Sequence, residues 1–85
     1  MHDSQQVLQV SCSQLHWAQP IERNVRRSLE HIAIAAEEGS DVILFPEANL
    51  TGYDFPYLLS LEPERLEEAL SRMQDAARAA GLYVI

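Results

Sequence analysis

The chain has 85 residues, of which 47% are hydrophobic and 22% are charged; this composition indicates one small globular domain and excludes intrinsic disorder. Thirteen acidic residues stand against six arginines and no lysine, and the formal net charge of −7 argues against nucleic acid or an anionic membrane surface as a partner. The apolar runs are too short to span a membrane and the polar N-terminus does not resemble a signal peptide, so we expect a cytoplasmic location.

The first three predicted elements are a strand, a helix and a strand. Residues Val7 to Ser13, VLQVSCS, are rich in β-branched and apolar residues, as strands are. From Ile21 the apolar positions recur every three or four residues until Gly39, which indicates an amphipathic helix that ends there. Residues Asp41 to Phe45, DVILF, are apolar at four consecutive positions, as expected for a strand covered on both faces.

A long connection, a second helix and a third strand follow. The connection starts at Pro46 and contains two prolines and a glycine. Pro63 suits the first turn of a helix, and an apolar stripe continues from it to a stop at Gly81. Residues Leu82 to Ile85, LYVI, begin a third strand.

This β-α-β-α-β order predicts an α/β fold. Connections of helical length imply parallel strands joined by right-handed crossovers. Two helices can cover both faces of the sheet only in a doubly wound arrangement; otherwise one face lacks its cover.

Glu47 is the most conspicuous candidate for chemistry. It comes directly after Pro46, which lacks an N–H, ends the sheet pairing and fixes the direction of the next residue. In open α/β sheets, ligands bind beyond the carboxyl ends of the strands. A carboxylate held there, partly desolvated beneath a long loop, suits a general base, although position alone favours a loop cap or a partner for an arginine.

Other reactive side chains have simpler interpretations. Cys12 ends the first strand and would be a nucleophile beside a base, but nothing is clearly placed to stabilise its thiolate, so we expect a buried small side chain. His16 and Trp17 either line a pocket or cover the end of the sheet. His31 falls near the apolar stripe of the first helix and is expected to be structural, and His2 lies in a tail that we expect to fray.

No cofactor and no metal are expected. The single cysteine cannot form an internal disulfide, and no Cys or His pair has the spacing of a zinc site. Dinucleotide, P-loop and serine-hydrolase motifs are also missing. Later in the long connection, Asp54 suggests an Asx-type turn, and the apolar stretch from Phe55 to Leu59 suggests either a flap over the site or core beneath the second helix.

The segment VILFPEANLTGYD, residues 42–54, closely resembles the first signature of the nitrilase, or carbon–nitrogen hydrolase, superfamily. RNVRRSLEHIAIAAEEGSD is similar to that family's first helix, and VLQVSCSQ to its first strand, so the resemblance covers nearly the whole chain. It implies that residues 1–85 are the N-terminal part of a carbon–nitrogen hydrolase domain. The implied fold is a β-α-β-α-β half of an α-β-β-α sandwich, with both helices on one face and a second sheet on the other.

The resemblance also implies a role for Glu47. In the family, a Glu acts as general base for a Cys that attacks an amide or nitrile carbon, and a Lys stabilises the tetrahedral intermediate. Cys12 does not match the family's nucleophile, and the family's Lys and Cys would both lie beyond Ile85. The chain alone is therefore expected to be inactive.

The implied partner is a small-molecule amide or nitrile, with Tyr53 as a candidate substrate-binding residue and a homo-oligomer as the expected assembly of the complete protein. The alternative is a non-catalytic truncated paralogue that acts as an interaction module through its open sheet face.

Overall fold

The computed structural model describes residues 7–85, so the expected fraying at His2 lies outside the described residues. The three predicted strands and both long helices are present, and a short additional helix lies within the predicted long connection. Their bounds are β1 Val10–Cys12, α1 Ile21–Glu37, β2 Val42–Leu44, α2 Phe55–Ser60, α3 Pro63–Ala80 and β3 Tyr83–Val84.

The three strands form one parallel sheet with β2 in the centre, which confirms the predicted α/β class. Val42 pairs with Val10 on one side and with Tyr83 on the other. The backbone N–H of Phe45 donates to the carbonyl of Ile85 at 2.8 Å, so the pairing continues just past β2. Because the strands are parallel, all three carboxyl ends lie at the same edge of the sheet.

Helices α1 and α3 pack against each other over one face of this sheet. A buried cluster joins the two helices to the central strand and to the start of the third. Its members are Ile32, Ala35, Ile43, Met73 and Leu82. The described chain is therefore not doubly wound, since both long helices occupy the same side.

The opposite face of the sheet is largely open in the described residues. Side chains alternate along a strand, so the partners Val10 and Tyr83 share the face of Val42, and Ile85 follows on that side. Val10 is 48% exposed, Tyr83 77% and Ile85 72%. In the central strand itself Val42 is buried and Leu44 half-buried on this face, so the exposed apolar side chains lie on the two flanking strands and no helix of the described residues covers them.

Candidate active site

Glu47 lies at the edge of the sheet where the strands end. Residues 46–54 form the connection that leaves β2 there, called here the Glu47 loop. Glu47 lines an open cavity of about 870 Å³ together with Asn49 and Leu50 of the loop. The far wall of this cavity comes from α3, including Met73, and from the residues of β3 and its ends.

The Glu47 side chain is exposed, so the expected partial burial beneath the loop is wrong. The ion pairs of the described residues join Glu22 to Arg65 at 2.7 Å and Asp75 to Arg78 at 3.4 Å, and neither involves Glu47. Pairing with an arginine therefore does not account for its position.

Tyr53 is the hydrogen-bond partner of Glu47. Its hydroxyl donates to Oε1 of the carboxylate, and both side chains are exposed. This hydrogen bond raises the pKa of Tyr53 above its ordinary value, with smaller contributions from desolvation and from the negative charge of Glu47, because ionised tyrosine can no longer donate. The Glu47 loop thus presents the Glu47 carboxylate and the Tyr53 phenol to solvent as a hydrogen-bonded pair at the edge of the sheet.

The backbone of the Glu47 loop turns sharply between Ala48 and Gly52. Ala48 has a φ of 54° and Gly52 a φ of 66°, both in the left-handed region, and the N–H of Gly52 donates to the carbonyl of Ala48 at 2.7 Å. A Cβ added at Gly52 would lie 2.4 Å from Cδ2 of Trp17. Glycine is required there for two reasons: the φ of residue 52 is positive, and the indole ring packed on it leaves no room for a Cβ.

Trp17 supports the loop and is not among the residues that line the Glu47 cavity. Its indole N–H donates to the carbonyl of Leu50 at 3.3 Å, and its ring meets that of Tyr57 edge-on with centroids 5.9 Å apart. The hydroxyl of Tyr57 in turn accepts from the backbone N–H of Ile21 at 2.7 Å, at the first residue of α1. These contacts connect the loop after β1, the Glu47 loop and the starts of two helices.

Residues Phe55–Ser60 form α2, which is neither a flap over the site nor core beneath α3, since none of its residues lines the Glu47 cavity and none is fully buried. Asp54 is the N-cap of the helix, since its Oδ1 accepts from the backbone N–H of Tyr57, three residues on, at 3.1 Å. Phe55 and Leu59 are exposed. The predicted Asx-type turn is replaced by a helix N-cap, because the residue two positions on is Pro56, which has no N–H to donate; the helix was not predicted.

Cys12 is exposed, so its expected burial is wrong. It shares the open face of the sheet with Val10 and lines a separate cavity of about 580 Å³ with His16 and Pro46, whose lining does not include Glu47. Strands β1 and β2 are neighbours, but the structure does not bring Cys12 and Glu47 into one cavity.

His31 is structural, as expected. It is half-buried on α1, and its Nδ1 is hydrogen-bonded to Oγ of Ser13 at 2.7 Å, which ties the helix to the end of β1. In the part of the chain that the structure describes, no three His, Cys, Asp or Glu side chains come together as a metal site. None of its helices is long and apolar enough to cross a bilayer.

Sequence reasoning missed three polar residues that hold the Glu47 loop, namely Asn24, Ser28 and Asn49. Asn24 and Ser28 are the buried polar side chains of the described residues. The available signal was their spacing, because both fall four residues apart among the apolar positions of α1, where a solvent-facing residue is not expected.

Comparison with protein families gives one result that bears on this site. The model of the family described as carbon-nitrogen hydrolase matches residues 9–85, which is most of the chain and includes the whole Glu47 loop. Neither the comparison with curated proteins nor that with solved structures returned a match.

Replacing Gly52 by alanine tests the packing of the loop on Trp17. We expect Gly52→Ala to lower the free energy of unfolding by roughly 2 to 4 kcal/mol, because it adds a left-handed strain and a steric clash with the ring. Gly81→Ala is the matched control: its φ is 71° but nothing lies within 4 Å of the added Cβ, so only the left-handed strain, about 1 kcal/mol, is expected. Urea unfolding followed by Trp17 fluorescence measures both, and equal losses would contradict the close approach.

Replacing Glu47 by glutamine tests its bond to Tyr53. The raised pKa of Tyr53 means that this bond stabilises the fold fully below the ordinary tyrosine pKa and that the stabilisation is lost as the pH rises through the raised value. We therefore expect Glu47→Gln to lower the pKa of Tyr53 towards its ordinary value, as measured by NMR of the tyrosine rings at alkaline pH. The signals of Tyr57 and Tyr83 are the internal controls, and an unchanged Tyr53 titration contradicts the pairing.

Proposed function

Because the chain belongs to the carbon–nitrogen hydrolase family, we propose that it supplies the general base for hydrolysis of a non-peptide C–N bond in a small amide. The observation that carries this proposal is the position of Glu47. It follows the central strand of a parallel sheet, at the edge where α/β enzymes bind their substrates, and its carboxylate faces an open cavity.

In the proposed reaction, the Glu47 carboxylate accepts the proton of a cysteine thiol, and the thiolate adds to the amide carbon. The tetrahedral intermediate collapses as Glu47 passes this proton to the nitrogen, which leaves as ammonia or an amine; this gives a thioester and restores the carboxylate. Water, deprotonated by the same carboxylate, then adds to the thioester and releases the acid and the free thiol. The sum is amide plus water giving acid plus amine.

We propose that the cysteine nucleophile, and the lysine that stabilises the tetrahedral intermediate, come from residues beyond Ile85. The sequence holds no lysine, and its one cysteine is on the open sheet face and lines a different cavity from Glu47. The exposure of the Glu47 carboxylate supports this part of the proposal, since a base that acts on a thiol from another segment has to be accessible to it.

We assign Tyr53 to substrate binding next to Glu47. Its exposed hydroxyl already contacts the carboxylate, so a substrate that reaches Glu47 also reaches this phenol. A hydroxyl can accept a hydrogen bond while it donates one, and an amide N–H offers that donor.

A second candidate function, from a different class, is a non-catalytic interaction module. The exposed apolar side chains Val10, Tyr83 and Ile85 on the open sheet face favour it, since contiguous apolar surface marks sites of protein association. In the first proposal the same face is covered by the remainder of the domain, and the complete protein assembles as a homo-oligomer.

The activity test uses both the 85-residue chain and the product of the complete reading frame. We expect no ammonia release from small amides by the chain alone, since covalent catalysis needs the missing nucleophile. In the complete product we expect Glu47→Gln to lower kcat by about 10² to 10⁴, the usual contribution of a general base.

Glu67→Gln, at an exposed position of α3, is the matched control and should leave kcat unchanged. Amide turnover by the 85-residue chain that disappears in Glu47→Gln contradicts the need for further residues. Full activity of Glu47→Gln in the complete product rules out the general-base role.

A further inference from the structure

Two polar side chains of α1 are buried against the segments that surround Glu47. Asn24 is 3% exposed and Ser28 is fully buried. They lie one helical turn apart and so project from the same side of the helix. Since buried polar groups are destabilising unless they are hydrogen-bonded, their partners indicate what they hold in place.

Asn24 ties together the two loops at the carboxyl edge of the sheet. Its Oδ1 accepts from the backbone N–H of Ala18 at 3.1 Å, in the loop that follows β1. Its Nδ2 donates at 2.8 Å to the carbonyl of Leu50, in the Glu47 loop. The same carbonyl accepts from the indole N–H of Trp17, so both of its acceptor positions are used.

Ser28 holds the neighbouring residue of the Glu47 loop. Its hydroxyl donates to the carbonyl of Asn24 at 2.7 Å, and its oxygen accepts from Nδ2 of Asn49, also at 2.7 Å. The Oδ1 of Asn49 is buried without a partner among the described residues. The Asn49 side chain therefore contributes one hydrogen bond, and that bond joins the loop to α1.

Glu47 has no comparable attachment of its own. Among the described residues its carboxylate is bonded to Tyr53, which belongs to the same loop. Only Ala48 separates Glu47 from Asn49, and its φ of 54° lies in the left-handed region, which is narrow for a residue with a Cβ. The position of Glu47 relative to the sheet is thus set on one side by β2 and on the other by the attachment of Asn49 and Leu50.

We infer that Asn24, Ser28 and Asn49 are positioning residues for Glu47. Through two hydrogen bonds, α1 holds the Glu47 loop in the conformation that presents the carboxylate, paired with Tyr53, at the mouth of the cavity. The catalytic consequence of this inference rests on the proposed function, whereas the geometric claim can be tested without any turnover.

Asn49→Ala is the most informative variant, because it removes the bond to Ser28 together with the unpaired Oδ1, and we expect it to fold. We expect exchange of the Gly52 amide proton, which is bonded to the carbonyl of Ala48, to become faster by about tenfold. We also expect the pKa of Tyr53 to fall towards its value in Glu47→Gln. Far-UV circular dichroism should not change.

The Tyr53 titration separates positioning from simple stabilisation. A residue that only stabilises the fold changes the melting temperature and leaves the pKa of Tyr53 in folded molecules unmoved. Ser28→Ala should reproduce the effect of Asn49→Ala, and the double variant should add little to either, because both remove the same bond. Ser71→Ala, an exposed serine of α3, is the control and should change neither readout.

The inference is overturned if folded Asn49→Ala keeps the wild-type Gly52 exchange rate and the wild-type Tyr53 pKa. If that variant does not fold, the wild-type chain decides: protection of the Gly52 amide supports the inference, and exchange at the rate of an unstructured peptide overturns it. If Glu47→Gln leaves turnover of the complete product unchanged, only the proposed function is contradicted, since neither the Gly52 exchange rate nor the Tyr53 pKa depends on catalysis.

Discussion

Parallel pairing of β2 between β1 and β3 is the constraint on which the position of Glu47 depends. It directs the carboxyl ends of all three strands to one edge, and it forces the chain to return across the sheet through α1 and α3. The loops after β1 and β2 consequently meet at that edge. Pro46 then stops the pairing of the central strand, and Glu47 is the next residue.

Helix α1 contributes to this arrangement in two ways that differ in strength. Burying a large apolar side chain such as Ile21 or Ile32 contributes about 1.5 to 3 kcal/mol, and these side chains fix the helix on the sheet and on α3. A hydrogen bond such as that of Asn24 or Ser28 contributes about 0.5 to 1.5 kcal/mol net. Apolar burial therefore fixes the position of the helix. The weaker hydrogen bonds from Asn24 and Ser28 then stabilise one conformation of the Glu47 loop relative to that helix.

Periodicity made α1 and α3 predictable, because each has an apolar stripe and a glycine after its last turn. Helix α2 was missed, since six residues with a proline are too few to show a period, and its start depends on the Asp54 side chain. The order and direction of the strands followed from the lengths of the connections. Glu47 was found as a candidate because strand, proline and carboxylate occur together in the sequence.

The errors have a common physical origin. A strand pattern tells which residues are apolar but not whether a face is covered, so Cys12 was expected inside and is exposed. The same limit applies to the loop, where Glu47 was expected to be partly buried and faces solvent. Asn24 and Ser28 were overlooked because a polar residue in a helix is normally assumed to face solvent; their spacing indicated burial, and the tertiary contacts with Leu50 and Asn49 show what they hold.

The proposed mechanism requires that Glu47 act together with a lysine and a cysteine encoded further along the same gene. The nucleotide sequence downstream of the codon for Ile85 tests this requirement most directly. We predict an in-frame continuation that contains a lysine and, after it, a cysteine at a strand-to-helix turn. A stop codon directly after Ile85 would contradict the hydrolase proposal and leave the interaction module as the function that the open sheet face supports.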